Sequence, residues 1–416
     1  MSEPLYRSRP GAFDIRPASQ PAATPVADGI WVSEGLSNSY LVVTRAGRVV
    51  INTGMGFEAP THKRNFDAVD GGPVRYILLT QAHVDHVGGV ELFRQAGTEI
   101  IAQANNRVCQ EDDARIHPFR VAHSAPFFPT AVGTAEKNRQ VQARPEPTIT
   151  FIERYEFELG GRRFELISTP GGETIDSVCI WLPQQRVAFV GNVFSALFGH
   201  FPNLVTLRGD RYRFALPFID SVNRVLALEP ELLLTGHFAP IRGADTVCAE
   251  LTRVRDAVRY VHDETVKGMN EGKDVFTLMR EIRLPPELEV GQGYGCVAWS
   301  VRAIWEGYAG WFHQRSTTEL YPVLPNEVYP DVVELAGGAA VVAARARTRL
   351  AAGQAVAAIH LAEMALAAEP ASRPALQAYL AAHEQLLEER GGENFWETGW
   401  LRHQIEHTRR ALEGLS

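Results

Sequence analysis

Apolar positions along this chain follow two regimes. Before about residue 240 they come in short alternating or unbroken runs, the signature of half-buried and fully buried strands. Gly29-Ile30-Trp31-Val32, Asn38 to Val43 and Arg48 to Asn52 open the series, with Arg45-Ala46-Gly47 as a turn. Tyr76 to Thr80 is a continuous β-prone run, Val90 to Gln95 reads as helix and Glu99 to Ala102 as strand. A second β-layer is expected from Thr148. There Arg154 to Leu159 and Arg163 to Ser168 flank Gly160-Gly161 as a hairpin, followed by Ser177 to Leu182 and Arg186 to Val190. Helix Phe218 to Leu228 then leads into strand Glu231 to Thr235. Strands alternating with helices in two halves predict an α/β fold, a four-layer αββα sandwich.

Beyond residue 250 the apolar spacing moves toward 3.6. Ala339 to Glu369 is alanine-rich, interrupted at Ala352-Gly353 and stopped at Pro370, which resembles a pair of tetratricopeptide-type helices. Leu376 to Glu389 and Trp400 to Leu412 supply two more helices. Their broad apolar stripes predict subunit contact, hence a homodimer. Asn106 to Pro147, with His117, His123, Phe127 and Phe128, shows no clear period and is expected to be loop. The opening residues, rich in Pro, Ala and Ser, are expected to form a surface arm. The resulting division is an arm over 1–27, an α/β domain over 28–250 and an all-α domain over 251–416.

The chemistry concentrates where the strand Tyr76 to Thr80 empties into Gln81-Ala82-His83-Val84-Asp85-His86-Val87-Gly88-Gly89. His-x-Asp-His after a buried strand is a metal-ligand spacing, because alternate loop residues point one way while His86 turns back from the first helical turn. The two glycines allow the following helix to approach the strand closely. Three further loops follow strands in the same manner: Thr169-Pro170-Gly171-Gly172-Glu173, Gly191-Asn192 and Gly236-His237.

Composition narrows the classes. The chain has 416 residues, 45% hydrophobic and 22% charged, which suits a soluble globular protein. A net charge of -8 argues against a nucleic-acid partner, since polyanion binding needs a basic face. No apolar run approaches the roughly 20 residues of a membrane span, and Met1 to Arg7 has no apolar signal core, so the cytoplasm is expected and no membrane partner. Cys109, Cys179, Cys248 and Cys296 have no paired C-x-x-C spacing, which gives neither a disulfide framework nor a thiolate zinc site.

The run around His83 resembles the H-x-H-x-D-H signature of the metallo-β-lactamase fold, with Gln81 where the first histidine would stand. The resemblance extends to its alkyl sulfatase branch through Thr206-Leu207-Arg208-Gly209 and Thr235-Gly236-His237. It continues through Tyr260-Val261-His262-Asp263, Leu284-Pro285-Pro286, Gly293-Tyr294-Gly295 and Gly310-Trp311-Phe312, in the helical dimerisation domain of that branch, and covers roughly 28 to 400. It implies a metallo-β-lactamase sandwich followed by an all-α dimerisation domain, with the branch's C-terminal sterol-carrier-like domain absent.

The same resemblance implies site roles. Asp85, His86 and His237 form an intact set for one metal, and His83 with Glu173 belongs to the other. Gln81 and Asn192 stand where a ligand histidine and a bridging carboxylate are usual. Replacing an imidazole by an amide costs basicity, and an amide bridge removes a negative charge between two dications. One zinc is therefore expected to be held firmly and a second weakly or not at all, with iron or manganese as alternatives. Arg208 would hold an anionic head group through a forked contact. The implied function is hydrolysis of a small anionic ester by metal-bound hydroxide, with Asp85 orienting the water. Two alternatives stay open: a hydrolase of a carboxylic ester, lactone or thioester, and a non-catalytic dimer that binds an anion in a degenerate site.

Overall fold

The strict two-residue period of the opening strands sorts their side chains onto opposite faces, and both faces find a cover. In the computed structural model, which describes residues 3–128 and 142–415, the chain packs as two units, 3–125 with 142–307 and 126–128 with 308–415. The first unit holds two sheets. One runs in chain order through β1 (Thr24–Ala27), β2 (Ile30–Ser33), β3 (Ser39–Thr44), β4 (Gly47–Ile51), β5 (Val74–Leu78), β6 (Glu99–Gln103) and β7 (Ile149–Phe151). The other comprises β8 (Arg154–Leu159), β9 (Arg162–Ser168), β10 (Val178–Leu182), β11 (Val187–Gly191), β12 (Leu232–Thr235) and β13 (Ile241–Arg242), also neighbours in chain order.

Between the sheets lie Tyr40, Val42, Val49, Ile51 and Leu78 from one and Phe164, Leu166, Val178, Ile180, Phe189 and Leu234 from the other. Their sequence neighbours face outward onto helices. Leu41, Val50 and Ile77 meet Phe66, Val90 and Phe93, while Cys179, Ala188 and Leu233 meet Phe218, Val222 and Val247. Four layers, αββα, result. Strands buried on both faces explain why Leu232–Thr235 and Val178–Leu182 carry no polar alternation.

β4 to β7 pair in parallel, as do β11 and β12. The carboxyl ends of β4, β5, β11 and β12 thus deliver Asn52, Gln81, Asn192 and His237 to the chain's loops, where sheets of this kind bind ligands.

The structure corrects three expectations. Asn106 to Pro147 is not loop throughout, since Asn106–Arg115 and His117–Ser124 are helices. Only Asn106 is buried in the first and no residue in the second, so neither contributes a face to the core. They are held by polar contacts instead: Asn106 Nδ2 donates to Asp176 at 2.8 Å, and Arg120 pairs with Asp113 and, at 3.0 Å, with Asp210. Residues 129–141 of that segment lie outside the described residues. Second, Ile149–Phe151 does not open the second sheet; it adds to the first, parallel to β6. Third, the arm includes an edge strand, β1, where Pro25 is tolerated. Its first turns are latched by Arg7 to Glu289 at 2.7 Å and by Leu5 N to Glu250 at 3.3 Å.

A helix over Ala244–Asn270 buries Val247, Leu251, Val254, Val258 and Val261 within the first unit, so the contact division at 307/308 lies beyond the 250/251 boundary read from sequence.

The second unit stacks helices Ala339–Ala351, Ala355–Ala368, Arg373–Arg390 and Phe395–Glu413, with the break at Ala352-Gly353 where the sequence places it. Ala343, Ala346, Ala358, Ala362, Ala365 and Ala375 are fully buried at the seams, where a side chain of one methyl group lets helix axes approach. Asn394 caps the last helix, accepting from Trp396 N and Glu397 N, and buried Trp396 packs edge-on to Phe127.

Candidate functional site

The loop after β5 is built to hold imidazoles. His83 carbonyl accepts from His86 N at 2.9 Å, which starts a short helix, and His86 carbonyl in turn receives Thr53 N at 2.8 Å. A methyl on Gly89 would fall 2.4 Å from Ala59 Cβ and 2.6 Å from Thr53 carbonyl oxygen, so only glycine lets this turn seat. His86 is fully buried, with Nδ1 near Ser37 and Thr80 hydroxyls at 3.5 and 3.4 Å. Its Nε2 has no hydrogen-bond partner and lies 3.5 Å from Asp85 Oδ2.

His237 comes from the end of β12. Gly236 N donates to Gly191 O at 2.7 Å and Asn38 N to Gly236 O at 2.6 Å, tying this turn to the neighbouring loops. Any side chain at Gly236 would collide with Asn192 Oδ1, which therefore stands against the His237 turn. His237 Nδ1 and Asn192 Oδ1 are buried without partners, like His86 Nε2. Burial lowers the pKa of both histidines, and the Asp85 carboxylate opposes that shift in each, so both rings are held as neutral donors.

The other half is crowded with charge. Gln81 Nε2 donates to Glu173 Oε2 at 2.7 Å and lies 3.0 Å from His83 Nδ1. Glu173 Oε1 faces Arg213 Nη1 at 3.3 Å, and His83 Nε2 lies 3.5 Å from Asp210 Oδ2. Asp210 also faces Arg213 at 3.6 Å, Arg120 at 3.0 Å and Arg208 at 3.8 Å. Burial alone would lower the His83 pKa, but the Glu173 and Asp210 carboxylates outweigh it and raise it to about 9. Burial would likewise raise Glu173 and Asp210; Arg213 and His83 hold Glu173 well below the usual carboxylate range, and His83, Arg213 and Arg120 do so for Asp210.

The structure thus brings His83, Glu173 and Gln81 into direct contact, and sets Asp85, His86, His237 and Asn192 beside them. Arg208 joins the same field. Its burial disfavours the charge, but Tyr294, Asp210, Glu173 and Asp85 together raise its pKa. Four residues at the site were not read from sequence: Asp210, Arg213, Arg120 and Tyr294. Tyr294 is coupled to Arg208 and Glu173, and burial pushes its phenol up to about 12. Asp210 and Arg213 sit in Arg208 to Arg213, a charge-dense stretch that reads as a solvated loop, and Arg120 lies in the helix read as loop. His200 is an ordinary structural residue: Nδ1 accepts from Gly293 N at 3.0 Å and the ring meets Tyr6 edge-on.

Among the described residues no three His, Cys, Asp or Glu side chains form a ready-made metal shell. The donor chemistry nevertheless separates the halves. Two buried neutral imidazole nitrogens without partners, beside a carboxylate, fit a divalent ion. Glu173 and His83 are already engaged by Arg213, Gln81 and Asp210, and that half does not fit one.

Comparison with known proteins gives concordant matches. Residues 32–237 match the model of the metallo-beta-lactamase superfamily and residues 277–399 that of the alkyl sulfatase dimerisation family. The chain is 28% identical over 318 residues to a linear primary-alkylsulfatase of Pseudomonas sp., covering 70% of this chain and 59% of the relative. It is 25% identical over 352 residues to an alkyl/aryl-sulfatase of Saccharomyces cerevisiae, covering 77% and 54%. The chain thus spans little more than half the length of these relatives. A solved stereoselective inverting sec-alkylsulfatase from Pseudomonas sp. superposes with a TM-score of 0.81 at 21% identity, covering 93% of this chain and 65% of that one, which shows the shared fold. The chain therefore carries a metallo-beta-lactamase domain followed by an alkyl sulfatase dimerisation domain, and the relatives it resembles are alkylsulfatases.

Proposed function

We propose that the protein is a metal-dependent hydrolase of a small anionic ester, a sulfate ester first, working with one divalent ion per chain. The observation that carries the reading is the pair of buried, unpartnered nitrogens His86 Nε2, 3.5 Å from Asp85 Oδ2, and His237 Nδ1, which feels the Asp85 charge. Asp85, His86 and His237 would hold the ion, zinc by their nitrogen and oxygen donors, with iron or manganese able to use the same set. When bound, such an ion supplies Lewis acidity and lowers the pKa of water from about 15.7 toward 7. Asp85, less buried than either histidine, keeps one oxygen available to orient the attacking water. Arg208, fixed from the 206–210 turn and facing Asp210, offers a planar fork to an anionic head group. The relatives' names, alkylsulfatases in each case cited, support sulfate as that group.

A second reading has its own support. Gln81 and Asn192 in place of the usual donors, with one half closed by ion pairs, favour a binding protein without turnover. One experiment separates the readings: metal analysis of the purified protein, then a panel of sulfate, phosphate, carboxylic and thioester substrates. Turnover of sulfate esters with about one metal per chain supports the proposal; stoichiometric metal without turnover of any ester selects the binding protein, and turnover of carboxylic or thioesters alone selects the alternative hydrolase.

We also infer a cytoplasmic homodimer. No helix among the described residues is long and apolar enough to cross a membrane. The second unit exposes Leu320, Tyr321, Leu324, Val328 and Leu335, an apolar series suited to a partner copy. Sedimentation showing a stable monomer at micromolar concentration would refute the dimer.

A further inference from the structure

The half of the site containing Gln81, His83 and Glu173 already contains a cation of its own. Arg213, only 9% exposed, presents Nη1 to Glu173 Oε1 at 3.3 Å and Nη2 to Asp210 Oδ2 at 3.6 Å. Asp210 Oδ2 in turn stands 3.5 Å from His83 Nε2, while His83 Nδ1 stands 3.5 Å from Glu173 Oε2. Glu173, Arg213, Asp210 and His83 therefore close a ring in which carboxylates alternate with a guanidinium and an imidazole. Gln81 seals it. Its amide nitrogen donates to Glu173 Oε2 at 2.7 Å and stands 3.0 Å from His83 Nδ1. The oxygen that could have ligated an ion, Oε1, is left buried and without a partner. Arg120 backs the ring from outside, donating to Asp210 Oδ1 at 3.0 Å.

We infer that Arg213 and Asp210 are positioning residues that replace the first metal ion of this fold with a fixed guanidinium, so that this half of the site excludes a divalent ion. A guanidinium cannot be deprotonated in a protein and cannot be displaced without leaving Glu173 and Asp210 buried and unpaired. A dication placed between the same carboxylates would lie against a permanent positive charge. Restoring the two usual donors at positions 81 and 192 is therefore not enough to make a second site. The inference rests on the proposed function only for the ion assigned to Asp85, His86 and His237.

The test is a zinc stoichiometry series by elemental analysis after equilibrium dialysis, with zinc alone as the probe. The variants are wild type, Q81H/N192D, and Q81H/N192D/D210N/R213Q, in which glutamine and asparagine keep hydrogen-bonding partners for Glu173 and His83. The expected gain over wild type is close to zero for the double variant and about one ion per chain for the quadruple variant. A gain of one ion in the double variant, or none in a folded quadruple variant, overturns the inference. Should the quadruple variant fail to fold, Q81H/N192D/R213Q decides by the same criterion, with Asp210 retained to pair with Arg120. The increment tests the ring and the wild-type total tests the one-ion reading; a wild type without zinc would retire the latter and leave the former to be decided on the increment.

Discussion

The two halves of the site spend the same kinds of residue in opposite ways. Around Glu173 every charge has a counter-charge: Arg213 at 3.3 Å for Glu173, Arg120 at 3.0 Å for Asp210, and His83 between the two carboxylates. Around His86 and His237 the ring nitrogens Nε2 and Nδ1 are buried with nothing to bond. An unpaired buried polar atom costs about 1–3 kcal/mol, so these two ring nitrogens are donors that a bound ion would satisfy. The half around Glu173 offsets its charges with protein counter-charges, although Gln81 Oε1, Asp210 Oδ2 and Arg213 Nη2 are also buried without a hydrogen-bond partner. What separates the halves is therefore how far protein counter-charges already engage the donors, not their identity, since each half contains histidine and carboxylate.

The sharpest way to break this comparison is to remove one donor from each half. His86→Ala and His237→Ala should each abolish zinc retention, because each takes a strong ligand from the set proposed to hold the ion. Glu173→Gln, in contrast, should retain the ion after dialysis. Elemental analysis reads both, and zinc lost to the same degree in all three variants would mean that the halves act as one site.

Next in size is the cost of breaking the matched half. Arg213→Ala leaves Glu173 and Asp210 buried with one counter-charge fewer, and removing one partner of a buried pair typically costs about 3–5 kcal/mol. Urea denaturation of the variant should show that loss as a lower midpoint. A change below about 1 kcal/mol, the range of exposed pairs, would show that solvent already screens the ring.

The fold was legible in the sequence where apolar period carried it and illegible where polar contacts did. β2 to β6, the hairpin β8–β9 and the strands through β12 lie within a residue or two of their expected spans, and the helix break at Ala352-Gly353 is where the alanine pattern is interrupted. The helices Asn106–Arg115 and His117–Ser124 were missed because they bury almost nothing and are held by ion pairs such as Arg120 to Asp210. The site shows the same division. His83, Asp85 and His86 announce themselves by spacing; Glu173, Arg208 and His237 became legible through resemblance to a known family. Asp210 and Arg213 could not be read, because a surface-like run Arg208-Gly209-Asp210-Arg211-Tyr212-Arg213 gives no sign that two of its charges turn inward while Arg211 stays exposed. Burial of a charge is decided by its distant partners, here Glu173 and His83, and local sequence does not record them.

A smaller effect is expected at Arg208, which belongs to neither half and faces both through Asp210 and Asp85. A charge-assisted hydrogen bond contributes roughly 1.5 to 3 kcal/mol, so Arg208→Ala should weaken binding of an anionic ligand about ten- to a hundred-fold. Zinc content should not change, and lysine should recover only part of the loss, since it offers a point charge in place of a fork. Calorimetric titration with inorganic sulfate measures this directly; unchanged affinity in the alanine variant would place the head group elsewhere.

The smallest expected effect comes from a histidine outside both halves, and it calibrates how burial alone acts on an imidazole here. His200 is 8% exposed, and burial, with Arg9 adding to it, pushes its pKa down to about 4, against roughly 6.5 for an unfolded chain. Between those values the unfolded state binds a proton that the native state does not, so stability falls as pH falls from about 6.5 toward 4. One proton corresponds to about 1.4 kcal/mol per pH unit at most, and near 1 kcal/mol between pH 6 and pH 5. His200→Asn keeps an acceptor for Gly293 N, which His200 Nδ1 now receives at 3.0 Å, while removing the titrating ring. The slope of unfolding free energy against pH should therefore flatten by close to one proton in the variant, with the contributions of every other group cancelling in the difference. An unchanged slope would show that His200 is charged in the native state, and burial would then be too weak an effect to account for the neutral rings of His86 and His237.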